Sequence, residues 1–254
     1  MKTSLTILSI FFFVQLYGQS PSYDVTKVVV SKTIDYENMN DSTLNRGFAE
    51  VSILLEKYDD AAVYLLKELE KNPQNVVAIQ RLGFVYSEMG QAEKSIPYFN
   101  KAIEMISNQD VFYYNRGLAY YRMKQPEKAI EDYSQAIKLN ANSELAFYNR
   151  ALAYEDLRKF ELAIKDYDKD IQINGERAKV YNNRGRCYMV LGQLDKALND
   201  VNKALEIEPQ KGNAFYNRGI IHYKKGDVKS ACADFAKATE FGDDATALIQ
   251  KFCK

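Results

Sequence analysis

Four arginines, Arg116, Arg150, Arg184 and Arg218, recur every 34 residues, and sixteen residues after each stands an aspartate: Asp132, Asp166, Asp200 and Asp234. A guanidinium offers a planar fork of donors and a carboxylate two acceptors, so this pattern supports a repeated structural ion pair. Proton transfer finds less material. The chain has one histidine, His222, so a nucleophile–histidine arrangement could form only there, and a two-histidine metal site cannot form within one chain. His222 occupies a register held by tyrosine in the preceding four repeats, Tyr86, Tyr120, Tyr154 and Tyr188, and reads as a packed substitute. Glycines near basic residues belong to the repeat and form no phosphate loop. The expectation is therefore no catalytic residue, no metal site and no cofactor.

The elements that position the pairs follow from the same period. The motif NRG or NRA returns at Asn115, Asn149, Asn183 and Asn217 without insertion. Only small residues occupy two registers twelve residues apart: Ala49, Gly83, Gly117, Ala151, Gly185 and Gly219, then Ala61, Ser95, Ala129, Ala163, Ala197 and Ala231. Two helices must approach each other there. Large apolar residues recur at helical spacing around these registers, so each unit reads as a pair of amphipathic helices. Gly90, Gly192 and Gly226 fall in the turns and Pro126 opens a second helix. Pro97 lies inside another, where it removes one backbone hydrogen bond, and a kink is expected. The Arg and Asp registers hold Phe48 and Leu82, with Tyr64 and Tyr98, in repeats one and two. The two registers change together, which predicts that they face each other across each helix pair of the last four repeats.

Lys plus Arg and Asp plus Glu are each 34, so no net field attracts nucleic acid or an anionic membrane. Residues 1–19 place Lys2 before the apolar run Leu5 to Val14 and a small residue at Gly18, the layout of a secretory signal, and an exported, periplasmic or extracellular chain is expected. A retained anchor is the weaker reading, because the run is shorter than the roughly 20 residues needed to span a bilayer; no integral membrane segment is expected in the mature chain. Residues 20–41, with Val28 to Val30, form an unassigned arm.

Within a repeat the pattern is bulky at the fourth position, small at the eighth, Tyr at the eleventh, Ala at the twentieth, aromatic at the twenty-fourth and small at the twenty-seventh. This resembles the tetratricopeptide repeat. The resemblance covers Ser42 to about Ala245, with departures at Asn45, Ser52 and Glu68 in repeat one, at Asp170 in repeat four and at Thr239 beside the last seam. It implies an all-α, right-handed α-solenoid of six helix-turn-helix repeats, at 42–75, 76–109, 110–143, 144–177, 178–211 and 212–245. A capping helix at 246–254, starting near Asp244, would close it.

Tetratricopeptide arrays line a concave groove with their first helices. The resemblance places there Tyr114, Leu118, Tyr121 and Arg122, then Tyr148, Leu152 and Glu155, then Lys179, Asn182 and Arg186, and finally Asn213, Tyr216 and Tyr223. Rigid amphipathic rings suit an extended peptide or a partner helix; packing of one repeat on the next is the alternative use of the same tyrosines. The carboxylate clamp that some family members use for chaperones is absent. Cys187 reads as a buried thiol. Cys232 and Cys253 each lie about ten residues from the turn at Gly242 to Asp244, which would bring them level on antiparallel helices. In an exported chain that favours a disulfide, with two free thiols as the alternative; the ending also resembles that of many exported bacterial repeat proteins. The function these readings imply is a non-enzymatic adaptor for a protein or peptide partner. A structural subunit of an envelope assembly or oligomer, joined end to end through repeat one and the arm from Ser20 to Asp41, is the alternative, and an enzyme or ligand carrier has no support in the residues.

Overall fold

The structure, a computed structural model, describes residues 41–253. The expected signal at 1–19 and the arm at 20–41 lie outside the described residues, except for Asp41, which is helical rather than part of the arm. All regular structure among the described residues is helical, and it falls into two compact units, one ending at Asn108 and the other beginning at Gln109.

The first unit holds α1 (Asp41–Leu54) paired with α2 (Tyr58–Lys71), and α3 (Val76–Glu88) paired with α4 (Ala92–Met105), with α2 packed on α3. Ala49, Ala61, Leu65, Ala78, Leu82 and Val85 form its core. α4 continues through Pro97 as one helix from Ala92 to Met105. Where the later repeats carry Arg and Asp, Phe48 stacks on Tyr64 with centroids 5.2 Å apart, Leu82 is buried, and Tyr98 stacks on Tyr86 at 5.5 Å. Aromatic packing thus does here what ion pairing does in the second unit.

The second unit repeats the hairpin four times: α5 (Asp110–Arg122) with α6 (Pro126–Leu139), α7 (Glu144–Asp156) with α8 (Phe160–Asn174), α9 (Ala178–Val190) with α10 (Leu194–Ile207), and α11 (Gly212–Lys224) with α12 (Val228–Glu240). Each second helix also packs on the next first helix, so every hairpin buries an apolar face on its neighbour. The small registers are the reason the hairpins close. A Cβ built on Gly219 would stand 2.5 Å from the Phe235 ring, and one on Gly117 would stand 3.0 Å from Tyr133. Facing them, Ala129, Ala163, Ala197 and Ala231 are fully buried.

A short α13 (Thr246–Phe252) closes the last hairpin, packing Leu248, Ile249 and Phe252 on the core that contains Phe215 and Phe235. Cys232 and Cys253 are joined as a disulfide, with Cα atoms 5.7 Å apart. Thr239 belongs to this closure, because its hydroxyl donates to the Phe235 carbonyl and accepts from the Ala245 amide. The two acids that replace a small residue at the twenty-seventh position also secure junctions: buried Glu68 accepts from Asn75, and buried Asp170 accepts from Asn174 and Arg177. Each ties a second helix to the loop entering the next repeat.

Candidate functional site

In every repeat of the second unit the arginine reaches its aspartate with both prongs of the fork. Arg116, Arg150, Arg184 and Arg218 donate from Nε and Nη2 to the two carboxylate oxygens of Asp132, Asp166, Asp200 and Asp234 at 2.7–2.8 Å. Burial pushes the carboxyls of Asp132, Asp166 and Asp200 above the ordinary range, against the pull of their arginines. Desolvation thus offsets much of the attraction, and such a pair adds little net stability while remaining costly to break.

The guanidinium has a third nitrogen, and its role is not evident from the pairing alone. Nη1 of Arg150, Arg184 and Arg218 donates to Ser134, Asp168 and Asn202, on the second helix of the preceding repeat. Each arginine therefore joins two successive hairpins. The sequence signal is an oxygen-bearing side chain at the same register of three consecutive repeats.

These clamps fix the first helices side by side, and further bonds run between them. The Tyr114 hydroxyl accepts from Asn149 at 3.0 Å, the Tyr148 hydroxyl accepts from Asn183 at 3.2 Å, and the Asn182 side-chain oxygen accepts from Asn217 at 2.9 Å. Asn182 departs from its expected surface role, since it is only 3% exposed and is closed in by Asn217 and Asn213. An amide at this register is short enough to form an Asn–Asn bridge where repeats three and four place a tyrosine ring. Glu155 is also engaged. Its carboxylate accepts from Arg186 at 2.6 and 3.0 Å and from the Tyr167 hydroxyl, linking repeat four to repeat five.

The other expected residues lie along the first helices in varying exposure. Leu118, Tyr121, Leu152 and Tyr216 are half-buried, while Arg122, Lys179, Arg186, Asn213 and Tyr223 are exposed. Tyr121 lies against Asp156, and burial together with that carboxylate pushes its phenol up to about 12. The Lys179 ammonium stands 4.6 Å from the centre of the Tyr148 ring, a cation–π contact from one first helix to the next. Tyr223 is flanked by Phe252 of α13 at 4.0 Å.

Val111 and Leu145 complete the face although the groove residues named from sequence omit them. They are 42% and 45% exposed, at the same second position as Lys179 and Asn213. The register alone could have found them. Beside Tyr114, Leu118, Tyr148 and Leu152 they make the α5–α7 part of the face apolar, whereas the α9–α11 part carries Lys179, Arg186, Asn213 and Lys224.

The same geometry offers little to chemistry. Burial and Glu155 push the Cys187 thiol far above its usual range, which keeps it from acting as a thiolate. His222 lies half-buried, 3.7 Å from Asp234 and 3.8 Å from Asp227. Among the described residues no group of three potential metal ligands converges.

Helical hairpins clamped in series, with their first helices presenting one register of side chains to solvent, have the architecture of a protein-interaction scaffold. The chain belongs to the tetratricopeptide repeat family, whose models match residues 77–109, 111–143, 145–176, 178–211 and 212–241. Among solved structures it is similar to the MamA protein, at 27% identity over 67% of this chain and 93% of that one, with a TM-score of 0.61. It is also similar to YrrB, described as a TPR protein with an unusual peptide-binding site, at 23% identity over 74% and 97% with a TM-score of 0.64. Pseudomonas aeruginosa PilF shares the fold at 16% identity over 84% and 96%, with a TM-score of 0.71. No curated protein matches the chain.

Proposed function

We propose that the chain is a non-enzymatic adaptor that holds a segment of a partner protein along the inner face of its second unit. The observation that carries this reading is the exposure of Val111 and Leu145 in one register on adjacent first helices. Apolar side chains aligned among half-buried tyrosines favour an occupant that removes them from water. YrrB, as a tetratricopeptide protein with a peptide-binding site, supports the same use of this fold. Because Val111 and Leu145 are exposed, Val111→Glu/Leu145→Glu should fold normally while losing the partner. Crosslinked recovery from native cells tests this: equal recovery by the variant and the wild type, with matching circular dichroism, would refute the groove.

An exported location belongs to the same proposal. The signal-like residues 1–19 and the Cys232–Cys253 disulfide both suit an oxidising compartment. A native protein that still begins at Met1 would count against it. Self-association is the second reading, supported by Leu55, Val63 and Leu66, which are all exposed in repeat one. Sedimentation that does not change with concentration would remove it.

A further inference from the structure

Repeats three and four carry tyrosine at the same place in their second helices, Tyr133 in α6 and Tyr167 in α8, and both side chains are fully buried. Their hydroxyls fare differently. Tyr167 donates to Glu155, on α7 of its own repeat, and that carboxylate also receives Arg186 from α9. Tyr133 has no hydrogen-bond partner among the described residues. In repeat three the place of Glu155 is taken by Tyr121, whose hydroxyl is engaged with Asp156.

Packing alone does not require a hydroxyl at this register. Leu65, Phe99, Val201 and Phe235 fill it in the other repeats, each fully or almost fully buried. The Tyr133 ring lies 5.9 Å from that of Tyr114, and its polar surroundings are Tyr114, Tyr121, Arg122 and Asp132. Of the charged pair, Asp132 is already spanned by Arg116. Arg122 is exposed at the end of α5, and a guanidinium has five N–H donors, enough to serve an incoming acceptor beside those it already meets. Two of these neighbours, Tyr121 and Arg122, stand at the C-terminal end of α5. Arg122 is exposed and can change rotamer without movement of a helix, while Tyr121 is half-buried against Asp156.

Resting on the groove reading above, we propose that repeat three receives a carboxylate from the bound partner, held by Tyr133 and Arg122, in the place that repeat four fills with its own Glu155. Asp156 opposes a second negative charge beside Tyr121, so the incoming carboxylate sits on the Arg122 side. Its apolar neighbours in the partner would then lie along Val111, Tyr114 and Leu145. A carboxylate can come from an acidic side chain or from a chain terminus, and the chemistry at Tyr133 is the same for both.

The test uses the full chain and apolar peptides on one common frame, in three sets. One set has an internal Glu and an amidated end, one has a free C-terminus and no acid, and one is amidated and without acid. One acid-bearing set should bind about tenfold tighter than the neutral set, the magnitude of a hydrogen bond to a charged group; which set does so identifies the source. Tyr133→Phe should erase that preference without changing binding of the neutral set and without lowering the denaturation midpoint. Tyr167→Phe should lower the midpoint, because Glu155 loses a donor. Equal binding of all three sets, with Val111→Glu/Leu145→Glu still abolishing it, overturns the carboxylate site and leaves the groove. Binding that survives Val111→Glu/Leu145→Glu, or no binding by any set, overturns both. A Tyr133→Phe variant as destabilised as Tyr167→Phe would show that the hydroxyl is satisfied within the fold, and also overturns the site.

Discussion

Asp166→Ala is the sharpest probe of how the second unit holds together. The substitution removes two charge-assisted hydrogen bonds of 2.7 Å and leaves Arg150 facing an apolar seam, with the side chains of the pair only 17% and 7% exposed. Hydrogen bonds to charged groups contribute about 1.5–3 kcal/mol each, but Arg150 keeps its bond to Ser134, its position over the Phe147 ring and some access to water. The expected loss is therefore about 3 kcal/mol, near the lower end for a broken buried pair. The double variant Arg150→Phe/Asp166→Tyr transplants the stacked rings of Phe48 and Tyr64 and should return to within about 1 kcal/mol of wild type, since packed apolar groups commonly replace such pairs at little cost. Ser134 is not stranded by that change, because its hydroxyl also bonds the Ile130 carbonyl. Urea denaturation followed by circular dichroism gives the totals, and hydrogen exchange across α7 and α8 locates the loss. The reasoning fails if Asp166→Ala costs less than about 1 kcal/mol, or if the double variant is as damaged as the single one.

Three further outcomes follow from the packing and the titrations. Gly219→Ala places a methyl 2.5 Å from the Phe235 ring and should cost about 1–3 kcal/mol in the same denaturation assay, whereas Ala151→Gly should cost about 1 kcal/mol or less. Reducing Cys232–Cys253, which closes a loop of 21 residues, should lower stability by about 3 kcal/mol; exchange that accelerates first in α12 and α13 would support it, and an unchanged profile would not. The Tyr121 phenol ionises near 10.0 when unfolded and at about 12 when folded, so the folded state keeps the proton longer. Its contribution is full below pH 10 and is lost as pH rises to about 12, so the denaturation midpoint should fall less over that window in Tyr121→Phe than in wild type.

The residues that a period can expose are legible in the sequence. Gly117 and Ala129 recur because two helices touch there, and Arg116 with Asp132 change to Phe48 with Tyr64 because they face each other. What is not legible depends on relations between hairpins. The third arginine nitrogen reaches Ser134, Asp168 or Asn202 only once one repeat is docked on the last, so no spacing within a repeat reveals it. Register places Asn182 on the surface, yet an Asn–Asn bridge buries it. The turns show a different limit: Glu56, Lys124 and Arg158 adopt left-handed φ of 55°, 58° and 57°, the conformation that Gly90, Gly192 and Gly226 adopt at the same place in other repeats. The hairpin demands that conformation from whatever residue stands there, at a cost of about 1–2 kcal/mol for a side chain, and the larger packing energy of the helices overrides it.

The arginine clamp also bears on how such a chain can change its length. Every unit from repeat four onward needs an aspartate that it carries itself and an oxygen that its predecessor supplies. A tandem copy of repeat four or five brings both, whereas repeat six carries Ala236 at the register of Ser134, Asp168 and Asn202, so recombination between repeats four and five could add or delete one of them while every guanidinium still finds its acceptors. Repeats one and two, each closed by a ring stack of its own, lack that interchangeability. Growth and contraction of the array are thereby steered toward its C-terminal part, and the number of inner-face helices can drift without a new interface having to be invented.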